Sequence, residues 1–125
     1  MRDVFVIGVG MIKFGRYRDK DVHELAGEAA RLALADAGMT INDVELLASG
    51  NLLQAGNMIG QRIMQQVGQT GIPVVNVANA CATGSTAFRE AYFAIASGAY
   101  DVVMAVGSEQ MGKQGLLGSR GDPAT

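Results

Sequence analysis

Short, nearly uninterrupted apolar runs constrain the fold of this chain more than any other feature. They occupy residues 4–9, 73–77 and 100–106 and are rich in strand-forming residues. Runs of this kind, with little polar alternation, are typical of strands that are covered on both faces, as in parallel sheets. Because helical patterns separate the runs, the sequence predicts an α/β layered fold with right-handed crossovers.

The first helix is predicted over Val22–Ala37. Asp21 stands at its N-cap and Glu24 three residues later, which is the pattern of a capping box, and Gly38 follows the last apolar residue.

Two further helices are expected downstream. Apolar residues recur at helical spacing over residues 58–67, which predicts a second helix. The segment Thr83–Ala96 is apolar on nearly all sides, so we expect a buried helix there. A short helical turn is predicted at residues 40–43 and an extended segment at residues 46–53.

Length and charge limit the class of protein. A chain of 125 residues is long enough for one domain with a real core. The sequence is 49% hydrophobic and 18% charged, which favours a well-buried sheet or an extensive subunit interface. The net charge of -2 comes without a basic stripe, so we expect no nucleic-acid partner.

The compartment is expected to be the cytoplasm. The longest apolar runs fall well short of the roughly 18 residues that a membrane span needs, and the first residues do not open a signal peptide. The single cysteine excludes an internal disulfide and suits a reducing compartment.

That single cysteine, Cys81, lies where an extended run turns abruptly into a helix of small residues. Unsatisfied N–H groups and the positive end of the helix dipole favour a thiolate there and can bind a developing oxyanion. Small neighbours leave room for a substrate to approach the sulfur: Ala80, Ala82, Gly84 and Ser85. A packed, inert cysteine is the competing interpretation.

Other candidate motifs are weaker. Gly8 and Gly10 begin a dinucleotide fingerprint, but Lys13 stands where its third glycine belongs. His23, the only histidine, falls in the first turn of the predicted first helix, where a solvated or capping role is expected. Thr83 and Ser85 suit a helix start better than nucleophilic chemistry, because neither has a base nearby in the sequence.

Three segments together carry a family resemblance: residues 4–15, 79–85 and 100–111. They resemble the first strand, the nucleophile segment and the following strand of the thiolase superfamily. The likeness is strongest to thiolases of the sterol-carrier-protein type and to archaeal and bacterial acetyl-CoA acetyltransferases. It spans nearly the whole chain and implies the N-terminal half of a thiolase-like layered fold, with a mixed, largely parallel sheet and a buried central helix.

The resemblance implies an acyl-CoA acyltransferase in which Cys81 takes the acyl group as a thioester. Asn79, Ala82 and Gly84 would then shape the substrate pocket. Coenzyme A thioesters would be substrates, with no covalently bound cofactor and no metal. Glu109 belongs to the segment after the third strand, and we expect it to be structural.

The resemblance also implies that the family's general base, its second cysteine and most coenzyme A contacts lie in a second half. We therefore expect residues 1–125 to form an incomplete N-terminal domain, with a loop region starting over residues 112–125, and to be inactive alone. The sequence would be a piece of a longer thiolase or the front half of a split enzyme.

Three kinds of partner are expected from the resemblance. A second copy would pair through residues 74–77 to form a homodimer or a higher oligomer. A partner subunit would supply the second half, or a small zinc-containing protein would bind acyl-CoA.

Alternatives within and beyond the superfamily stay open. Ketoacyl synthases and hydroxymethylglutaryl-CoA synthases keep the nucleophilic cysteine and differ in the second half. The chain could also be a non-catalytic subunit of a split thiolase or aldolase assembly, with Cys81 merely packed. Thiol reactivity separates the two classes, because a packed cysteine is protected.

Overall fold

Three parallel strands form the sheet in the computed structural model, which describes residues 1–111. The strands are β1 (Leu46–Gly50), β2 (Val74–Val77) and β3 (Val103–Gly107), in the spatial order β2-β1-β3. In the central strand, Ala48 lies opposite Val75 on one side and Ala105 on the other. Strands alternate with helices along the chain, so the predicted α/β class is confirmed.

The helices are α1 (Val22–Ala37), α2 (Ile59–Val67) and α3 (Thr83–Ala96). The bounds of α1 and α3 agree with the prediction, and α1 begins with the expected capping box, in which Glu24 Oε1 accepts the Asp21 N–H at 3.2 Å. Short 3₁₀ turns occur at Ile41–Asp43, Ala55–Asn57 and Ala80–Ala82. Among residues 1–111, no helix has the length and apolar character needed to cross a bilayer.

The sheet lies between two helical layers. On one face, α1 and α2 pack a buried cluster against the strands, including Leu47 and Ile63, which are both 0% exposed. On the other face, the backbone of α3 lies close to the strands, because a Cβ at Gly50 would come within 2.8 Å of the Thr83 carbonyl oxygen. This arrangement places the start of α3 against the carboxyl ends of the strands.

The predicted first strand, residues 4–9, is wrong for this structure. These residues form no strand and are not part of the sheet, and Phe5 and Val9 are exposed. They line a cavity of about 290 Å³ together with β3. A strand needs a hydrogen-bonded neighbour, and the apolar pattern could not show that this run has none in the sheet.

Helix α3 is less buried than its composition predicts. Its small residues Ala87 and Ala91 face the sheet, whereas the aromatic residues Phe88, Tyr92 and Phe93 are each 39–55% exposed. Only one face of this helix is therefore covered within the described residues.

Other boundaries differ by a few residues, because side chains compete for the backbone. The third strand begins later than residue 100, since the Glu45 carboxylate accepts the N–H groups of Asp101 and Val102 at 2.7 and 2.9 Å. The extended segment predicted to residue 53 leaves the sheet after Gly50, and the helix predicted from residue 58 begins at residue 59. The loop region predicted from residue 112 lies outside the described residues.

Candidate functional site

Cys81 lies at the carboxyl edge of the sheet, where ligands of open parallel sheets usually bind. Strand β2 ends at Val77, the chain turns through Ala80–Ala82, and α3 begins at Thr83. Cys81 is the middle residue of that turn and is exposed. Its thiol is therefore accessible to a ligand.

The turn holds an unfavourable backbone conformation. Ala80 has a φ of 47°, in the left-handed region that a residue with a Cβ rarely adopts. Such conformations persist only where the surroundings hold them, and they concentrate at functional sites. The residue immediately before the candidate nucleophile thus carries backbone strain.

Two threonine hydroxyls bind this turn. Thr83 Oγ1 accepts the Asn79 N–H at 2.8 Å and donates to the Ala80 carbonyl oxygen at 2.7 Å. Thr86 Oγ1 accepts the Asn79 side-chain amide at 3.0 Å and donates to the Ala82 carbonyl oxygen at 2.8 Å. The backbone on both sides of Cys81 is therefore held by side chains of the first turn of α3.

The predicted pocket residues Asn79, Ala82 and Gly84 surround this turn. Asn79 is exposed and gives its side-chain N–H to Thr86. Ala82 and Gly84 are also exposed, and a Cβ at Gly84 would meet nothing within 4 Å. The structure brings the three residues together with Cys81 and leaves open space beside them. Their roles in substrate binding stay predictions.

Glu109 fixes the loop that follows β1. Its carboxylate accepts the Leu52 N–H at 2.9 Å and the Asn51 side-chain amide at 3.3 Å. Asn51 is buried, and the same amide donates to the Ser108 carbonyl oxygen at 2.9 Å. Sequence reasoning named Glu109 and missed Asn51, because no local pattern connects residues 58 positions apart.

The remaining candidates lie away from the turn. His23 belongs to α1, which packs on the face of the sheet opposite α3. One of its ring nitrogens lies within 4.8 Å of a carboxylate oxygen of Asp21 and of Glu24, but both carboxylates belong to the capping box that starts α1. The cavity beside β3 does not include Cys81 among its lining residues.

Fold and site define a class: an α/β protein with an accessible thiol on a strained turn between a parallel strand and a helix. The family description "Thiolase, N-terminal domain" matches residues 4–120. The chain belongs to the thiolase family.

Similar proteins carry several names. The chain is 43% identical over 120 residues to sterol carrier protein 2 of Homo sapiens, covering 93% of this chain and 22% of the relative. It is 40% identical over 116 residues to an acetyl-CoA acetyltransferase of Methanothermobacter thermautotrophicus, covering 89% of this chain and 30% of the relative. The chain therefore spans less than a third of the length of these relatives.

Solved structures agree with this assignment. An acetyl-CoA acetyltransferase from Syntrophomonas wolfei superposes with a TM-score of 0.72 at 27% identity, over 78% of this chain and 26% of that one. A 3-oxoacyl-[acyl-carrier-protein] synthase III from Aquifex aeolicus superposes with a TM-score of 0.73 at 20% identity, over 83% and 34%. The second similarity shows the shared fold alone.

Proposed function

We propose that this chain supplies the nucleophile of a thiolase-type acyl-CoA acyltransferase, and that the nucleophile is Cys81. The observation that carries the proposal is the exposed thiol on a strained turn at the carboxyl edge of the sheet. A cysteine that served only to fill the core would be buried. The names of the acetyl-CoA acetyltransferase relatives support the same chemistry.

The first half-reaction is a thioester exchange. The Cys81 thiolate attacks the carbonyl carbon of an acyl-CoA, and the bond from that carbon to the coenzyme A sulfur breaks. Coenzyme A leaves as a thiolate and takes up the proton that the Cys81 thiol released. Cys81 lies in the 3₁₀ turn Ala80–Ala82. The first N–H groups of such a turn have no acceptor within it, so the Cys81 N–H is the proposed donor to the oxyanion.

The second half-reaction transfers the acyl group to carbon. The enolate of a second acyl-CoA attacks the Cys81 thioester and gives a 3-ketoacyl-CoA with return of the cysteine thiolate. In the thiolytic direction, coenzyme A takes the acyl group instead. The open space beside Gly84 and the small side chain of Ala82, both close to Cys81 in the sequence, would admit the acyl group.

The proton transfers of that second step need a base, and among residues 1–111 no histidine or carboxylate is hydrogen-bonded to the turn. His23 is the only histidine of the sequence and lies on the opposite face of the sheet. We therefore assign the base and most coenzyme A contacts to the rest of a longer protein or to a partner subunit. The 125-residue piece alone is expected to complete no turnover.

Strand β2 offers a surface for a second copy of the chain. It pairs only with β1 among the described residues, and Val75 is 38% exposed. An unpaired strand edge invites pairing with another chain, so we propose a homodimer joined through β2. A small zinc-containing acyl-CoA-binding protein is a further proposed partner, and the cytoplasm is the proposed compartment.

Ketoacyl synthase and hydroxymethylglutaryl-CoA synthase chemistry would use the same cysteine. The structural similarity to a ketoacyl synthase at 20% identity shows that the fold does not separate these activities. The second substrate separates the thiolase from a synthase that works on carrier proteins, because in such a synthase a carrier-protein thioester attacks the Cys81 thioester in place of an acyl-CoA.

The test is the intact mass of the natively expressed protein before and after incubation with acetyl-CoA, with Cys81→Ala as the control. We expect one acetyl group on the wild-type protein and none on the variant. Iodoacetamide near neutral pH should also alkylate Cys81 faster than a model thiol. Absence of both reactions, with candidate partner subunits added, would favour a non-catalytic assembly subunit.

A further inference from the structure

Thr83 is one of the few buried polar residues among residues 1–111, with 7% of its surface exposed. Its hydroxyl accepts from the Asn79 N–H and donates to the Ala80 carbonyl oxygen, and both partners precede it in the chain. A threonine that caps its own helix instead accepts from an N–H further along that helix. The two bonds therefore do not cap α3 and bind the 3₁₀ turn before it.

We propose that Thr83 is a positioning residue that holds the Cys81 turn in its reactive conformation, a role that rests on the proposed function. The two hydrogen bonds of its hydroxyl enclose Ala80, the residue with the left-handed backbone. A strained residue relaxes unless its neighbours fix it. The Thr83 hydroxyl is the side-chain group that bridges the backbone on both sides of that strain.

The position of Thr83 is itself set by the sheet. A Cβ at Gly50 would lie 2.8 Å from the Thr83 carbonyl oxygen and 2.9 Å from its Cγ2. The backbone at the end of β1 thus packs directly against this threonine, and Gly50 is hydrogen-bonded in turn through its carbonyl oxygen to the Ser108 N–H at 3.0 Å. A rigid part of the molecule is thereby connected to the turn that bears the thiol.

This arrangement predicts a particular kinetic defect. Thr83 is buried, so its hydroxyl is not available to bind acyl-CoA, and its loss should leave substrate affinity nearly unchanged. The sulfur would then spend less time in the geometry required for attack, which lowers the maximal rate of acylation. If Thr83 only packed, its replacement would change stability and would not lower the maximal rate of acylation while leaving the substrate affinity unchanged.

The test compares Thr83→Val, which removes the hydroxyl and keeps the branched shape, with Thr83→Ser, which keeps the hydroxyl. Single-turnover acylation by acetyl-CoA is measured in the natively expressed protein, with Thr70→Val, in an exposed loop, as a matched control. We expect Thr83→Val to lower the maximal acylation rate about tenfold, with half-saturation changed less than about twofold. Thr83→Ser and Thr70→Val should stay within about threefold of wild type.

A second variant tests whether the hydroxyl of Thr83 acts through the strain at Ala80. Glycine adopts positive φ without a Cβ penalty, so adding Ala80→Gly to Thr83→Val should recover part of the lost rate. Equal loss in Thr83→Val and Thr83→Ser, a wild-type rate in Thr83→Val, or no recovery with Ala80→Gly would overturn the positioning role. Absence of acylation in the wild-type protein would instead overturn the proposed function.

Discussion

Residues 4–9 and strand β3 are both runs of apolar, strand-forming residues, yet only β3 belongs to the sheet. β3 pairs with β1 over five positions, from Val103 opposite Leu46 to Gly107 opposite Gly50. In the other run, the Val9 N–H donates to the Asp36 carboxylate at 2.8 Å, and Ile7 is 54% exposed. Two segments of similar composition thus have very different surroundings.

The difference shows that strand formation depends on the neighbour as much as on the residues themselves. Residues 4–9 and the residues just before them contact helices instead of a neighbouring strand, as in the bonds from the Val9 N–H to Asp36 and from the Arg2 N–H to the Ala96 carbonyl oxygen, the latter at 3.2 Å. β3 has a partner strand on one side and a buried face that includes Val106, 7% exposed. The two segments should therefore respond differently to the same kind of substitution.

The largest expected contrast comes from one substitution at two isoleucines. Ile63→Ala empties a fully buried site between α2 and the sheet and should lower the free energy of unfolding by about 2–5 kcal/mol. Ile7→Ala removes a side chain that is more than half exposed and should cost less than about 1 kcal/mol. Urea unfolding of the natively expressed variants measures both values. A similar loss at the two positions would contradict the contrast.

Glycine substitutions give the next largest effect. Gly50→Ala places a Cβ 2.8 Å from the Thr83 carbonyl oxygen, where paired strands and α3 leave no room, and should destabilise by about 1–3 kcal/mol. Gly10→Ala would bring a Cβ against the Ala33 backbone nitrogen and to 2.7 Å from the Ala29 carbonyl oxygen. The segment around Gly10 has no ladder to break, so we expect it to shift away from α1 and the loss to be smaller. Thermal unfolding compares the pair, and a larger loss at Gly10 would show that this segment is firmly docked.

The sequence predictions were right where the determinants of structure are local and wrong where the structure depends on a neighbouring segment. Helix α1 was predictable because its determinants are local: a capping box at Asp21 and Glu24 and a terminal glycine. The position of Cys81 at the junction of a strand and a helix was also visible in neighbouring residues. The failure at residues 4–9 came from a missing partner, which no local pattern records.

The details of the site were less predictable, because they depend on contacts between distant segments. The bond between Glu109 and Asn51 joins residues 58 positions apart. The hydrogen bonds of the Thr83 hydroxyl join residues that are close in sequence, but they depend on the left-handed backbone of Ala80. Alanine rarely adopts that conformation, so the sequence does not predict it.

Replacing Glu109, which follows β3, tests how firmly its carboxylate holds the loop after β1. Glu109→Gln removes the charge and turns an amide donor toward N–H groups that need an acceptor, including that of Leu52. We expect a loss of about 1–2 kcal/mol in unfolding free energy and faster amide hydrogen exchange in the loop after β1. Glu90→Gln is the control, because its contact with the adjacent Arg89 is exposed. Equal exchange in the two variants would show that the carboxylate does not hold the loop.

The smallest effect is expected at the ion pair between Lys20, just before α1, and Glu28 within α1. Lys20 Nζ donates to Glu28 Oε1 at 2.6 Å, and this hydrogen bond raises the pKa of Lys20 above its ordinary value of 10.5. Because the folded-state pKa is the higher one, the stabilisation is complete below the unfolded-state pKa and is lost as the pH rises through the folded-state value. Glu28→Gln should lower the Lys20 pKa in an NMR titration and leave unfolding near neutral pH almost unchanged, since both side chains of the pair are partly exposed to solvent. A marked loss of stability would mean that this ion pair holds the residues before α1 more firmly than the exposure of its two side chains indicates.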